Sequence, residues 1–172
     1  VITVPLAERT IPFKFYEVDE LASPILELDK VDMGYATGKP VLERVSLRLD
    51  FDDRIAIVGA NGQGKTTLVK SIAQKLPLLQ GVRRASKNLR IGYFSQDQLD
   101  ELRAGETVLE HVKDLLPNAG QAQVRALAAQ FGFGHEKCET KVDKLSGGEK
   151  VRLLMGLTTY KKPHILILDE PT

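Results

Sequence analysis

The densest chemistry in this sequence lies in eight consecutive residues, Gly59, Ala60, Asn61, Gly62, Gln63, Gly64, Lys65 and Thr66. They fit the phosphate-loop pattern G-x-x-x-x-G-K-[ST]. Glycines let such a loop curl until several backbone N–H groups converge on one anion. A helix starting at its end aims its positive pole at the same place. In that arrangement Lys65 bridges the β- and γ-phosphates of a nucleotide and the Thr66 hydroxyl binds Mg2+. Thr67, one residue further on, is a candidate α-phosphate contact. A glycine-rich turn beside a surface lysine is the plainer reading, and a chance match to the full pattern is rare.

Two further groups lie downstream. Leu145, Ser146, Gly147, Gly148 and Glu149 place a serine and a glutamate three apart, which makes a capping box at a helix start. The paired glycines go beyond capping, because they bare backbone N–H groups at that helix terminus and form a second anion site. The apolar run Ile165–Leu168 ends in Asp169 and Glu170. After a phosphate loop, such a strand is expected to hold Mg2+ through Asp169, by way of water. Glu170 is then placed to polarise an attacking water as general base. On its own the strand end would read as two solvated carboxylates.

The elements that position these residues follow from periodicity. Ile25 to Val31 reads as a strand, and Val45, Leu47, Leu49 and Phe51 alternate with polar residues as a half-buried strand does. Ile55–Val58 is a continuous apolar run into the phosphate loop, the pattern of a strand buried on both faces of a parallel sheet. Leu68, Val69, Ile72, Ala73 and Leu76 recur at helical spacing up to Pro77. Short strands are expected around Val82 and over Ile91–Phe94. Two helical stripes follow, one from Val108 to Leu116 and one from Val124 to Phe131, and a third helix starts at Ser146. Residues 1–24, with Pro5, Pro12 and Pro24 and the acidic stretch EVDE, read as a linker or extension leading into the domain at 25–172.

Composition bounds the possibilities. With 172 residues, 42% hydrophobic and 27% charged, the chain suits one soluble globular domain. A net charge of +1 sets up no strong field toward nucleic acid or membrane. The single cysteine, Cys138, permits no internal disulfide and fits a reducing cytoplasm. No apolar run approaches the roughly 20 residues of a membrane span, so no membrane insertion is expected. His111, His135 and His164 do not fall at metal-ligand spacing and read as surface or cap residues. Arg83, Arg84, Lys87 and Arg90 cluster locally and could touch RNA, but a solvated strand edge is the favoured reading.

Taken in order, the phosphate loop (Walker A), LSGGE and the strand closing in LILDEPT (Walker B) resemble the ABC ATPases over residues 25–172. LSGGE is the signature of that superfamily. The resemblance implies an α/β P-loop NTPase of ABC type, with a mainly parallel core sheet, an antiparallel β-subdomain and a small helical insert at about 97–144. It implies ATP and Mg2+ as ligands. It also implies a partner: a second ABC domain, in the same parent chain or a homodimer, whose Leu145–Glu149 counterpart closes over the ATP held by Lys65. Tyr35 stands where the family stacks an aromatic on adenine, although a buried or loop tyrosine is the plainer reading. Gln96, in GYFSQ, stands at the family's Q-loop as a Mg2+ or water contact, and would otherwise be a polar loop residue.

The segments LSGGEK, RIGYFSQDQLDEL and FGFGHEKCETKVDKLSGGEKVRL, and ERTIPFKF running into ILELDKVDMGY, resemble the ABC-F branch, most closely its second domain. That implies a cytoplasmic Mg-dependent ATPase coupling domain closure to action on the ribosome, with rRNA as a partner. The ATP-binding subunit of an ABC transporter, or a nucleotide switch that barely hydrolyses, stay open as alternatives. The family follows Walker B with a D-loop, a further strand and a switch histidine. The sequence contains none of these, so an incomplete, C-terminally truncated domain, unstable and inactive by itself, is the expectation.

Overall fold

The structure, a computed structural model, describes residues 15–169. The elements run β1 (Leu26–Met33), β2 (Leu42–Leu49), α1 (Lys65–Ile72), β3 (Leu78–Ala85), β4 (Ile91–Phe94), α2 (Gln96–Asp100), α3 (Val108–Leu115), α4 (Gln121–Gln130), α5 (Gly147–Tyr160) and β5 (Ile165–Leu168). Two single 3-10 turns, at Lys137–Glu139 and Val142–Lys144, lead into α5. The strands form two sheets. One is antiparallel in the order β2-β1-β3, and the other is the parallel pair β4-β5. This is the P-loop fold of the ABC ATPases, with antiparallel and parallel sheets and a small helical part.

Two cores hold these elements. Leu26, Leu28, Val31 and Met33 of the central strand β1 pack with Val69 and Ile72 of α1, with Tyr93 of β4 and with Ile167 of β5. This core seats the phosphate-loop helix against both sheets. The second core is helical. It joins Val108 and Val112 of α3, Val124, Leu127 and Ala128 of α4, and Leu153 of α5, with Phe131, Phe133 and Leu145 closing it. Burial removes apolar surface from water at about 25 cal/mol per Å2; Val69, Ile72, Val108, Val112, Val124 and Leu127 are buried as periodicity marks them, while Phe133, Cys138 and Val142 are buried without such a mark.

Local rules set the helix starts. Thr107 and Glu110 form a reciprocal capping box at α3, and Ser146 and Glu149 form another at α5. The helix expected from Ser146 is therefore present, with Ser146 as its cap. β3 lies at the edge of its sheet, where the exposed Arg84 pairs with Glu27 at 3.4 Å, whereas Arg83 is half-buried with its Nε out of solvent, so the solvated-edge reading fits Arg84 and not Arg83.

Two further expectations fail. Ile55–Val58 is not a strand: residues 53–60 belong to no ladder, and Val58 is 92% exposed. The physical reason is the lack of a neighbour. β5 is paired to β4 on one side, and among the described residues no strand pairs with its other side. A cavity of about 440 Å3 separates Ile55–Ile57 from Ile165–Leu168. His111 is also a correction, since it is buried rather than at the surface. Its Nε2 accepts from the Arg103 amide at 3.1 Å and its Nδ1 lies 2.9 Å from the Thr107 carbonyl.

Candidate nucleotide-binding site

The phosphate loop is shaped by its own chain. Gly64 caps α1 with a φ of 86°, in the left-handed region where glycine is favoured. A Cβ there would also lie 2.9 Å from the Leu42 side chain of β2. No side chain caps the helix, so the first N–H groups of α1 have no side-chain partner. They face an anion site by default. Within the loop, the Ala60 amide donates to Gln63 Oε1 at 3.2 Å. Lys65 Nζ folds back to donate to the carbonyls of Gly59 and Ala60, at 2.7 and 2.8 Å. These contacts place a positive charge over the curl.

Around that curl lies a cavity of about 320 Å3, lined by Tyr35, Val41, Asn61, Gly62, Gly64, Lys65, Thr66 and Thr67. Tyr35 comes from the turn after β1 and is 64% exposed, so its ring is a free face beside the loop rather than a core tyrosine. Thr67 is buried at the root of α1.

The second half of the site lies at the ends of β4 and β5. Their parallel register pairs Tyr93 with Ile167 and Phe94 with Leu168, so Gln96 and Asp169 both leave from the carboxyl ends of neighbouring strands. Ligands of open α/β sheets bind at such ends. The Asp169 amide donates to the Phe94 carbonyl at 2.9 Å. Asp169 lines the larger cavity together with Lys65. Gln96 is exposed and is the first residue of α2, which Ser95 caps by accepting from the Gln98 amide. Glu170 lies outside the described residues.

The signature segment stands apart. Leu145 is buried in the helical core, while Ser146, Gly147 and Gly148 are exposed, with nothing within 4 Å of a Cβ built on either glycine. Glu149 is held by Lys137 and by the Ser146 amide. The Lys137 ammonium, and then the Ser146 amide, keep its carboxyl below the usual carboxylate range. None of these five residues lines the cavity at Lys65. The phosphate-loop start of α1, with no side-chain cap, and the capped, exposed diglycine start of α5 are thus separate places on the molecule.

Sequence reasoning missed three participants. Tyr93 donates from its hydroxyl to Asp169 Oδ2 at 3.0 Å. Burial, reinforced by Asp169, pushes the Tyr93 phenol up to about 12. Lys70 and Asp97 form an ion pair at 2.7 Å that ties α1 to α2. A tyrosine in a short buried strand was the available signal, because a buried hydroxyl needs a partner.

The donor set suits Mg2+. Thr66, Asp169 and Gln96 offer hydroxyl, carboxylate and amide oxygens, the hard ligands this ion takes. Among the described residues no cluster of three or more His, Cys, Asp or Glu could hold a metal alone. An ion bound partly by nucleotide phosphates needs no such cluster.

An uncapped glycine-rich loop at a helix start, beside parallel strands ending in an acid and a capped diglycine helix, defines a P-loop ATP-binding domain of ABC type. Comparison with known proteins agrees. The family model described as ABC transporter matches residues 42–172, and the chain belongs to that family. It is 38% identical to the probable ATP-binding protein YheS of Haemophilus influenzae, over 93% of this chain and 26% of that protein. It is 37% identical to Protein GCN20 of Saccharomyces cerevisiae over 100% of this chain and 23% of that one. With ABC transporter F family member 4 of Arabidopsis thaliana it shares 39%, over 96% and 24%. The chain therefore spans about a quarter of the length of these curated relatives. In fold it superposes on a bacterial Atm1-family ABC exporter with a TM-score of 0.67, at 24% identity, covering 91% of this chain and 32% of that one. Among the described residues no helix is long and apolar enough to cross a membrane.

Proposed function

We propose that this ABC domain binds ATP with Mg2+ and hydrolyses it, as one of two paired ATPase domains in a cytoplasmic ABC-F-type protein acting on the ribosome. The observation that carries the nucleotide reading is the uncapped start of α1 with Lys65 Nζ folded over its loop. Tyr35 stacks on adenine; Gly59–Gly64 and Thr67 bind phosphates; Lys65 moves from the loop carbonyls onto the β- and γ-phosphates. Thr66, Asp169 and Gln96 would hold Mg2+, which neutralises phosphate charge when bound. Glu170, next to Asp169 in sequence, orients and deprotonates the attacking water. The exposed Ser146–Gly148 start of α5 closes over the partner domain's ATP. Residues 25–172 form this domain, 97–144 its helical insert and 1–24 a lead-in. Support for the ribosomal part comes from the resemblance to the F branch and the F-family name of one relative.

The test uses the intact protein. Lys65→Ala is expected to weaken binding of a fluorescent ATP analogue by at least about 10-fold, because a charge-assisted contact is lost. Glu170→Gln is expected to retain binding, stop turnover and hold the protein on ribosomes in ATP. Unchanged affinity in Lys65→Ala would overturn the site. Co-fractionation of the trapped variant with membranes instead of ribosomes would favour the transporter-subunit alternative.

A further inference from the structure

We infer that Tyr93 is a positioning residue for Asp169, holding that carboxylate in the orientation in which it meets the metal. The inference rests on the nucleotide reading above and extends it to a residue outside the three motifs. Tyr93 is 7% exposed, within the core formed by β1, α1 and β5. Its hydroxyl donates to Asp169 Oδ2 at 3.0 Å across the parallel pair. With the Asp169 amide fixed on the Phe94 carbonyl, backbone and carboxylate are both anchored to β4. One oxygen so occupied fixes the direction of the other.

Two residues on from Tyr93, Ser95 is buried and caps α2, whose first residue is Gln96. The strand that carries the phenol therefore runs directly into the helix start that presents the glutamine. Packing alone does not explain a tyrosine here. A phenylalanine would fill the same core without burying a hydroxyl that must be satisfied. Partners that orient a metal ligand are commonly needed for full metal affinity.

The experiment measures metal affinity rather than turnover. Glu170→Gln protein, intact, with any second nucleotide site silenced, is loaded with ATP and titrated with Mn2+ as a spin-active substitute for Mg2+. Electron paramagnetic resonance reads free and bound metal. Adding Tyr93→Phe is expected to weaken Mn2+ binding by about 10-fold or more, with ATP affinity in EDTA and the melting temperature little changed. In an Asp169→Ala background, Tyr93→Phe is expected to add nothing, since its target is gone. Equal Mn2+ affinity with and without the phenol, or a full additional loss in the Asp169→Ala background, would overturn the inference alone. A parental complex that binds Mn2+ no more tightly than free ATP does would overturn the Asp169 assignment together with it.

Discussion

Lys65 shows how a single side chain can be prepared for a ligand. Its ammonium already sits on two loop carbonyls, so phosphate binding exchanges neutral acceptors for charged ones. His164, which directly precedes β5, gives a second residue-scale case. Its Nδ1 accepts from the Arg90 amide at 3.0 Å, and its own amide donates to the Arg90 carbonyl at 2.8 Å. This reciprocal pair starts the β4-β5 ladder. Burial first, and then the Arg90 charge, lower the His164 pKa below 6.5, with Asp19 opposing. The folded state therefore takes up a proton less readily than the unfolded chain. Above about pH 6.5 the group carries no penalty, and stability falls as pH drops through that value toward the depressed one. Denaturant melts of the intact protein between pH 7.5 and 5.5 are expected to show this loss. His164→Asn, whose amide oxygen can still accept from Arg90, should show a shallower decline.

At the scale of elements, contacts between helices are tighter than sequence periodicity reveals. α5 approaches the end of α4 at Gly156, where an added Cβ would lie 2.5 Å from the Phe131 ring. Phe131 is buried and backed by Tyr160, with ring centres 6.5 Å apart, so it has little room to move. Alanine normally gains about 1 kcal/mol over glycine inside a helix. Overpacking a filled core costs about 1–3 kcal/mol, and here the clash is with an aromatic ring. Gly156→Ala is expected to destabilise the intact protein by about 1–2 kcal/mol net, read as a lower denaturant midpoint. Gly105→Ala, where nothing lies within 4 Å of the new Cβ, is the matched control and should leave the midpoint unchanged.

For the whole molecule, the consequential feature is the gap between the phosphate-loop approach and β5. Ile55, Ile57 and Leu168 are exposed at 57%, 41% and 49%, along a cavity whose lining includes Ile25, Val69 and Ile72 of the core. Among the described residues no strand pairs with the second side of β5, and an edge left so is a template for pairing with another chain. A domain has only about 5–15 kcal/mol of stability to lose. The isolated 172-residue polypeptide is therefore expected to self-associate and to lack steady ATP turnover. Light scattering and an ATPase assay on the purified polypeptide test this. A stable monomer that unfolds cooperatively and turns over ATP would show that the gap is tolerated.

The sequence by itself determined the phosphate loop, the capping box at Ser146, the helices α1, α3, α4 and α5 and the acid at the end of the last strand. Each is written in contiguous residues: Gly64 precedes Lys65 in the chain, Ser146 and Glu149 are three apart, and Leu168 abuts Asp169. Local backbone geometry and hydrogen bonds act at that range, so residue order suffices. The fate of Ile55–Val58 was not legible in the same way. Its apolar run reads as a strand, but a strand exists only when a neighbour supplies the ladder, and that is a fact about space. Tertiary structure alone decided that Tyr93 reaches Asp169 and Lys70 reaches Asp97, across 76 and 27 positions of chain, and that His111 is buried. Long-range polar contacts leave no periodic trace, because each depends on how two sheets and their helices pack rather than on which residues adjoin.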